Sequence, residues 1–418
     1  MALTASRRDP PDPSLTPLRV ALTTFFALDG FIFAGWVVRI PAIKAQVGAS
    51  ASELGLALLG VSAGAVATMV LTGGLCRRFG SRRITVVTGV LMSLSIALPP
   101  LTHSALALGL VLLVFGTAYG GMNVAINSVA VDLVAALRRP VMSGFHAAYS
   151  LGGLLGAGLG GLLAPHLSPT THLLLLTPVG LLVPAVAGRT LLAHRVTPPA
   201  DAFVPAEVLV PADHDVRADR PAGRSAEPPV PPVRRTAPLV AVFGLIALCT
   251  AYGEGALAEW GPLHIQQDLG GGQGIAAAGY AAVAFAMTLG RLSGTALLER
   301  LGQTRALVLG GLTACTGMLL GALAPSVWLA VAGFAVTGLG LANLFPVAIA
   351  RAGELAGPSG VAAASTLGYG GMLLGPPSIG FLADSFGLPA ALTTVALLAA
   401  AASAIAYAVR NMGTRTNL

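Results

Sequence analysis

The chain has 418 residues, of which 55% are apolar and only 10% charged, with a mean hydropathy of +0.80. A soluble domain carries about 25% charged residues, so this composition excludes an ordinary soluble enzyme and predicts an integral membrane protein. The net charge of +7 does not mark a nucleic-acid binder. Its basic residues sit at the ends of apolar runs, where they act as topology signals.

The apolar runs are long and unbroken, whereas barrel strands would alternate over about ten residues. The expectation is therefore an all-α membrane protein. The 53 glycines suit close helix packing in lipid. Arginine supplies every basic residue except Lys44, a usage that fits a GC-rich bacterial genome. Cys76, Cys249 and Cys315 share no metal or redox spacing and read as small core residues. The start, Arg7-Arg8-Asp9-Pro10-Pro11, is polar, and no small-residue cleavage site follows the first apolar run, so no cleavable signal peptide is expected.

In chain order, a cytoplasmic tail (1–17) precedes spans at 18–39, 52–74, 84–101, 105–131, 141–164 and 171–193. A Pro-, Asp- and Arg-rich stretch at 194–237 cannot bury a core and reads as a cytoplasmic linker. Spans at 238–261, 275–298, 306–324, 327–350, 361–383 and 388–409 follow, with a tail at 411–418. This makes twelve spans in two six-helix halves, 18–193 and 238–410. With both termini inside, the outer segments carry only Arg39 and Lys44, and every other flanking arginine is inside.

The halves repeat at an offset of about 220 residues. Arg77-Arg78-Phe79-Gly80 answers Glu299-Arg300-Leu301-Gly302. Thr117, Gly120 and Asn123 answer Thr337, Gly340 and Asn343, and Gly152 and Gly156 answer Gly371 and Gly375. Asp29-Gly30 through Trp36 is echoed by Glu254-Gly255 through Trp260. Parallel halves related by an axis along the membrane normal are a known transporter plan.

Twelve spans, a long middle loop and the loop Gly73-Gly74-Leu75-Cys76-Arg77-Arg78-Phe79-Gly80-Ser81-Arg82-Arg83 resemble the major facilitator superfamily, whose signature is G-x-x-x-D-R-x-G-R-R. Arg77 stands where the family has its acid; in the second half Glu299 keeps it. The resemblance implies a cytoplasmic gate built from Arg77, Arg78, Gly80, Arg82, Glu299, Arg300 and Gly302. Trp36-Val37-Val38-Arg39-Ile40-Pro41, Gly121-Met122-Asn123-Val124-Ala125-Ile126-Asn127, Phe145-His146-Ala147 and Glu254-Gly255…Glu259-Trp260 resemble the YbjJ-like branch near the fucose–proton symporters, which implies proton coupling. The fourth span lacks the acid those symporters use, apart from Asp132 at its end. Gly152-x-x-x-Gly156-Ala157-x-x-Gly160-Gly161 resembles an antiporter glycine signature with Ala157 replacing its proline, and it equally serves helix packing.

Asp29 lies about ten residues past Arg19, hence about 15 Å deep, near mid-bilayer. An intramembrane acid is costly and marks a functional site by default. Asp29 and Glu254 are the candidates for proton coupling; the alternative for each is a structural acid bonded between helices. Phe33 and Trp36 share the face of Asp29. With Asn123, Asn127, His146 and Asn343 they are the candidate substrate-cavity residues, and packing is the other reading of each. Glu259 and Trp260 are expected in an interfacial belt. Arg291 is read as snorkelling, or pairing with an acid such as Glu299, or binding an anion. Arg39 is read as a gate ion pair or an interfacial charge.

No Walker loop, nucleotide fingerprint, H-E-x-x-H helix or nucleophile elbow occurs, so neither enzyme activity nor ATP-driven transport is expected. The reading is a monomeric inner-membrane carrier of a small molecule, driven by an ion gradient that is expected to be one of protons, with no cofactor and no metal. Efflux by antiport is slightly preferred over symport of a sugar-like solute. A solute-binding receptor that signals is the alternative of another class.

Overall fold

The computed structural model describes residues 15–137, 141–193 and 233–410. Most of the expected 194–237 linker and nearly all of both tails lie outside the described residues. Among the described residues there are helices and no strand.

The first half comprises α1 (Thr16–Val37), α2 (Ile40–Val47), α3 (Ala51–Phe79), α4 (Ser81–Ser95), α5 (Ala105–Leu137), α6 (Met142–Leu163) and α7 (Pro169–Ala193). The second comprises α8 (Val233–Glu259), α9 (Gly261–Gln267), α10 (Gln273–Leu292), α11 (Gly294–Ala322), α12 (Val327–Leu341), α13 (Leu344–Phe386) and α14 (Leu388–Ala408). Among the described residues, ten helical segments are long and apolar enough to cross a membrane. The other two expected spans, 141–164 and 361–383, are also helical, as α6 and the later part of α13, and both are rich in glycine.

Local chemistry sets the helix ends. Ser50 and Glu53 form a capping box at the start of α3: the Glu53 N–H donates to Ser50 Oγ and the Ser50 N–H to Glu53 Oε2, at 3.2 and 2.9 Å. Spans one and seven each end in a short extra helix with proline in its first turn, Pro41 in α2 and Pro262 in α9, where a missing N–H costs nothing. Gly80 (φ 88°) and Gly302 (φ 75°) turn the chain at matching places in the halves. A side chain at either would meet nothing within 4 Å, so it is the backbone angle that calls for glycine.

α13 is not one straight helix: the chain doubles back near Gly360. A Cβ on Gly360 would strike the carbonyl of Ala352, and one on Gly368 would meet the Phe345 ring. In a straight helix residues eight apart are about 12 Å apart. α13 is therefore two antiparallel arms, which serve the tenth and eleventh spans.

In the first half α1 packs on α6 and α7, and α5 on α3 and α4. In the second, α8 packs on α13 and α14, and α12 on α10 and α11. The halves meet where α3 lies on α13 and α6 on α10. Lipid supplies no hydrophobic drive between helices, so close approach through small residues holds them together. A Cβ on Gly152 would overlap the carbonyl of Ala27, and one on Gly156 that of Phe31. Gly371 stands against the carbonyl of Leu248, and Gly375 against Tyr252.

Gly152→Ala should lower the thermal unfolding temperature of the detergent-solubilised protein, since overpacking costs about 1–3 kcal/mol. Gly158→Ala, where a Cβ meets nothing within 4 Å, should leave it unchanged or slightly raised. Equal losses in the two variants would show that the α1–α6 contact is not tight.

Candidate functional site

One end of the inter-half cleft is sealed, the end bearing α2 and α9. There Gly55 lies on the backbone of Pro376, Gly380 on Ala51, and Gly161 on Gly274 and Ala277. Ser62 Oγ donates to the Met372 carbonyl at 3.0 Å, and Lys44 Nζ to Gln267 Oε1 at 3.2 Å. Asp384, near the end of α13, accepts the N–H groups of Ala51 and Ser52 at 2.9 and 2.8 Å, so a carboxylate from one half caps a helix of the other. Hydrogen bonds from Ser52, with Ala51, hold this exposed carboxyl below the usual aspartate range.

Arg39 belongs to this seal. It is wholly buried, and its Nε donates to His172 Nδ1 at 2.8 Å. Its Nη1 reaches the Ala164 carbonyl at 3.3 Å and, across the cleft, Gln273 Oε1 at 3.4 Å. The expected gate ion pair or interfacial charge is thus replaced by a buried guanidinium bound to neutral acceptors. Glu259 and Trp260 are also buried, not in an interfacial belt. Arg39 is enclosed by neighbouring helices, through His172 of α7, Ala164 at the end of α6 and Gln273 of α10.

The cleft opens at the other end. A cavity of about 650 Å³ there is lined by His146, Ser150, Arg291 and Asn343, among others. Beyond it lies a deeper chamber of about 190 Å³, lined by Phe33, Tyr119, Tyr149, Glu254, Tyr280 and Met287 among others. Arg291 and Ser150 border both, so they form the neck. A larger apolar hollow of about 850 Å³ lies between α1 and α7, but its Val20, Leu182 and Val186 are side chains of the outer, lipid-side wall, and it holds no charged group.

At the neck Arg291 Nη2 lies 3.3 and 3.4 Å from the two carboxylate oxygens of Glu254. One nitrogen makes both contacts, so this is not the two-nitrogen fork of a strong pair. The acid that Arg291 meets is Glu254 on α8, not Glu299. In the chamber the Tyr119 and Tyr149 hydroxyls are 3.0 Å apart, and Phe33 stacks on Tyr119 with centroids 5.0 Å apart. Tyr280 stands within electrostatic reach of Glu254.

Asp29 lines neither cavity. It is fully buried, neither carboxylate oxygen has a hydrogen-bond partner, and it lies within electrostatic reach of Tyr119 and Tyr149. The helix contacts explain the difference from Glu254. Gly152 meets Ala27 where Gly371 meets Leu248, and Gly156 meets Phe31 where Gly375 meets Tyr252. In this register Asp29 answers to Thr250, also fully buried, and Glu254 answers to Phe33. The echoed acid is therefore not an echoed site; the two carboxyls sit about one helical turn apart.

Of the other candidates, Phe33 borders the chamber, and His146 and Asn343 border the opening. Asn343 also ties α12 to α10, donating to the Gly290 carbonyl at 2.7 Å. Trp36 is buried in the core, away from both cavities. Asn123 and Asn127 line neither; Asn127 Nδ2 turns back to the Asn123 carbonyl at 2.8 Å. At the open end Arg78 lies over the Phe79 ring, and Arg82 faces Asp132 within its own half. Among the described residues, no salt bridge links Arg77 or Arg78 to Glu299. The three chamber tyrosines escaped the sequence reading, although a phenol inside an apolar run is a signal: its hydroxyl needs a partner.

Comparison with known proteins gives this architecture its family. The model of the Major Facilitator Superfamily matches residues 20–316 and 243–416. The chain belongs to the major facilitator superfamily. An uncharacterised MFS-type transporter of Yersinia pestis is 31% identical over 94% of this chain and 95% of its own. The membrane protein MosC of Rhizobium meliloti is 30% identical over 91% of this chain and 87% of its own. The fold is similar to that of the nucleoside transporter NupG (TM-score 0.69, 14% identity, 94% and 98% of the two chains). It is also similar to a bacterial homologue of the human lysosomal transporter Spinster in an inward-facing, occupied conformation (TM-score 0.72, 15% identity, 96% and 97%). The chain is a multi-pass membrane transporter of this superfamily.

Removing the Asp384 cap should loosen the sealed end by about 0.5–2 kcal/mol, the usual cost of losing an N-cap. Asp384→Ala should raise cysteine labelling at that end and lengthen spin-label distances across it. Because the carboxyl titrates below its ordinary range, its contribution is complete above that range and fades as pH falls through the lowered value. Acid should therefore loosen the wild-type seal and have a smaller effect on the variant. A variant with unaltered labelling at neutral pH would exclude the cap from the seal.

Proposed function

We propose that the protein is a proton-coupled secondary carrier of a small solute in a bacterial inner membrane. It works as a monomer by alternating access, with both termini in the cytoplasm. The observation that carries this reading is a cleft closed at one end and open at the other, with Glu254 on its wall and Asp29 buried behind it. With the arginine-rich loops inside, the sealed end faces outward and the cavity opens to the cytoplasm. Rocking the two bundles about the chamber would reverse this. Arg78, Arg82, Glu299 and Arg300 would then come together as the inner gate.

Asp29 supplies a place to hold a proton. An ionised carboxylate buried without a hydrogen bond costs several kcal/mol, whereas a neutral acid costs far less. Glu254 exchanges protons with the open cavity. Phe33, Tyr119, Tyr149 and Tyr280 bound the solute. In the glycine run of α6, Gly152 and Gly156 pack on α1, Gly160 on Val38 and His172, and Gly161 on α10, which supports helix packing as its meaning. Symport is therefore the preferred direction, in keeping with the resemblance to the YbjJ-like branch. Efflux is the alternative that the sign of the flux decides.

In proteoliposomes, sugars and amphipathic compounds should be screened for solute-evoked proton movement. Proton entry with the solute marks symport, and proton movement against it marks antiport. Asp29→Asn and Glu254→Gln should each reduce this movement by at least about tenfold if they remove an essential proton site. Coupling unchanged in both variants would refute the assignment of proton carriage to these acids.

A further inference from the structure

We propose that the solute is a small organic monoanion, a carboxylate with a flat or hydroxylated body. Its carboxylate would be taken by Arg291 when Glu254 lets go, so that one proton and one anion cross together without net charge. This deepens the symport reading and rests on it.

The argument begins with the one ion pair in the transport path, Arg291 with Glu254. Both members are about one-third exposed at the neck, so a solute in the cavity can reach either. Their contact is stretched and uses a single guanidinium nitrogen. Arg291 makes no other hydrogen bond among the described residues, which leaves Nε and Nη1 available. A guanidinium presents donors in a planar fork that matches a carboxylate.

The two members are not equivalent chemically. A cationic solute would have to displace Arg291 from Glu254, and arginine keeps its charge at any physiological pH. The site would then hold two cations against one acid. An anionic solute would displace Glu254 from Arg291, and Glu254 can shed its charge by taking a proton from the open cavity. The site then holds one cation and one anion, as before. Only anion binding lets the pair open without excess charge in a low-dielectric neck. In that step the proton binds a Glu254 oxygen, the Arg291 contact breaks, and the solute carboxylate replaces it; no covalent bond to the solute changes.

The groups around the pair fit this scheme. From α6 come the Tyr149 hydroxyl and His146, which lies within electrostatic reach of Arg291. From α5 comes Tyr119, and from α10 Tyr280. Asp29 on α1 lies behind the tyrosines, outside the cavities. Arg291 is thus the one permanently charged cation on either cavity wall among the described residues, and Glu254 the one carboxylate. For the body of the solute, the Phe33–Tyr119 stack offers an aromatic wall, and three phenolic hydroxyls offer bonds to hydroxyl groups.

The test uses the full-length protein in liposomes containing a pH dye. Gluconate, glucuronate and benzoate are compared with glucose, fucose and glucosamine. At least one of the anions should carry protons inward, at a rate unaffected by clamping the membrane potential, and glucosamine should not. Arg291→Gln should weaken anion uptake by at least about tenfold, and Arg291→Lys by less, since a charge-assisted bond is being removed or kept. In Glu254→Gln, anion counterflow should lose its pH dependence, a change that mere structural damage does not produce. Proton movement evoked by neutral sugars alone would overturn the anion assignment and leave the carrier reading standing. Glucosamine-driven proton movement, or anion uptake that generates a membrane potential, would overturn it too. No proton movement with any probe would overturn both.

Discussion

Backbone contact at glycine is the constraint on which this structure depends. Gly152 and Gly156 seat α6 on the backbone of α1, and Gly371 and Gly375 seat the later arm of α13 on α8. Hydrocarbon is as apolar as the helix surfaces, so association here comes from close van der Waals approach. These two seams also carry the site. Each holds a cavity-facing helix, and the register of each seam decides which side chain of α1 or α8 looks into the chamber. Phe33 and Glu254 occupy the same place in the two seams, and Asp29 is left in the interior.

The second organising feature is the asymmetry between the ends. At the sealed end the halves approach backbone to backbone, and a carboxylate of one half caps a helix of the other. Arg39 adds a buried cation that bridges to Gln273. At the open end the charged loops stay within their own halves: Arg351 with Glu354 at 2.7 Å, Glu354 with Gln303 at 3.2 Å, and Arg82 facing Asp132. Such contacts are weak where water reaches them, which suits an end that would open and close in the proposed cycle.

The chamber between these ends combines one stretched ion pair with a wall of phenols. A tight, forked pair would resist opening, and an apolar chamber would give a polar solute nothing to hold. A long contact through one nitrogen leaves Arg291 with donors to spare. In the proposed step, protonation of Glu254 together with arrival of an anion at Arg291 would exchange the pair without leaving a bare charge. Asp29, without a hydrogen-bond partner, lies one layer behind, within electrostatic reach of Tyr119 and Tyr149.

The sequence alone determined the class and the plan. Long apolar runs, arginines at their ends and a repeat at about 220 residues leave little besides a two-fold helical transporter, because bilayer thickness and backbone hydrogen bonding allow few other solutions. It also pointed to Asp29 and Glu254, since charge in lipid is a property of single positions; Gly80 and Gly302 it named only as gate residues, and their positive φ came from the structure. Only the tertiary structure decided which of these meet. Trp36, Asn123 and Asn127 share helix faces with plausible site residues, yet those faces turn to protein or to their own backbone. The acids echo in sequence but not in space, because the α1–α6 and α8–α13 seams set a register offset from it by about one turn. Arg291 finds Glu254 rather than Glu299, and Asp384 finds the start of α3, through contacts between distant segments. Periodicity within one helix says which residues share a face; what that face meets depends on how the other helices pack.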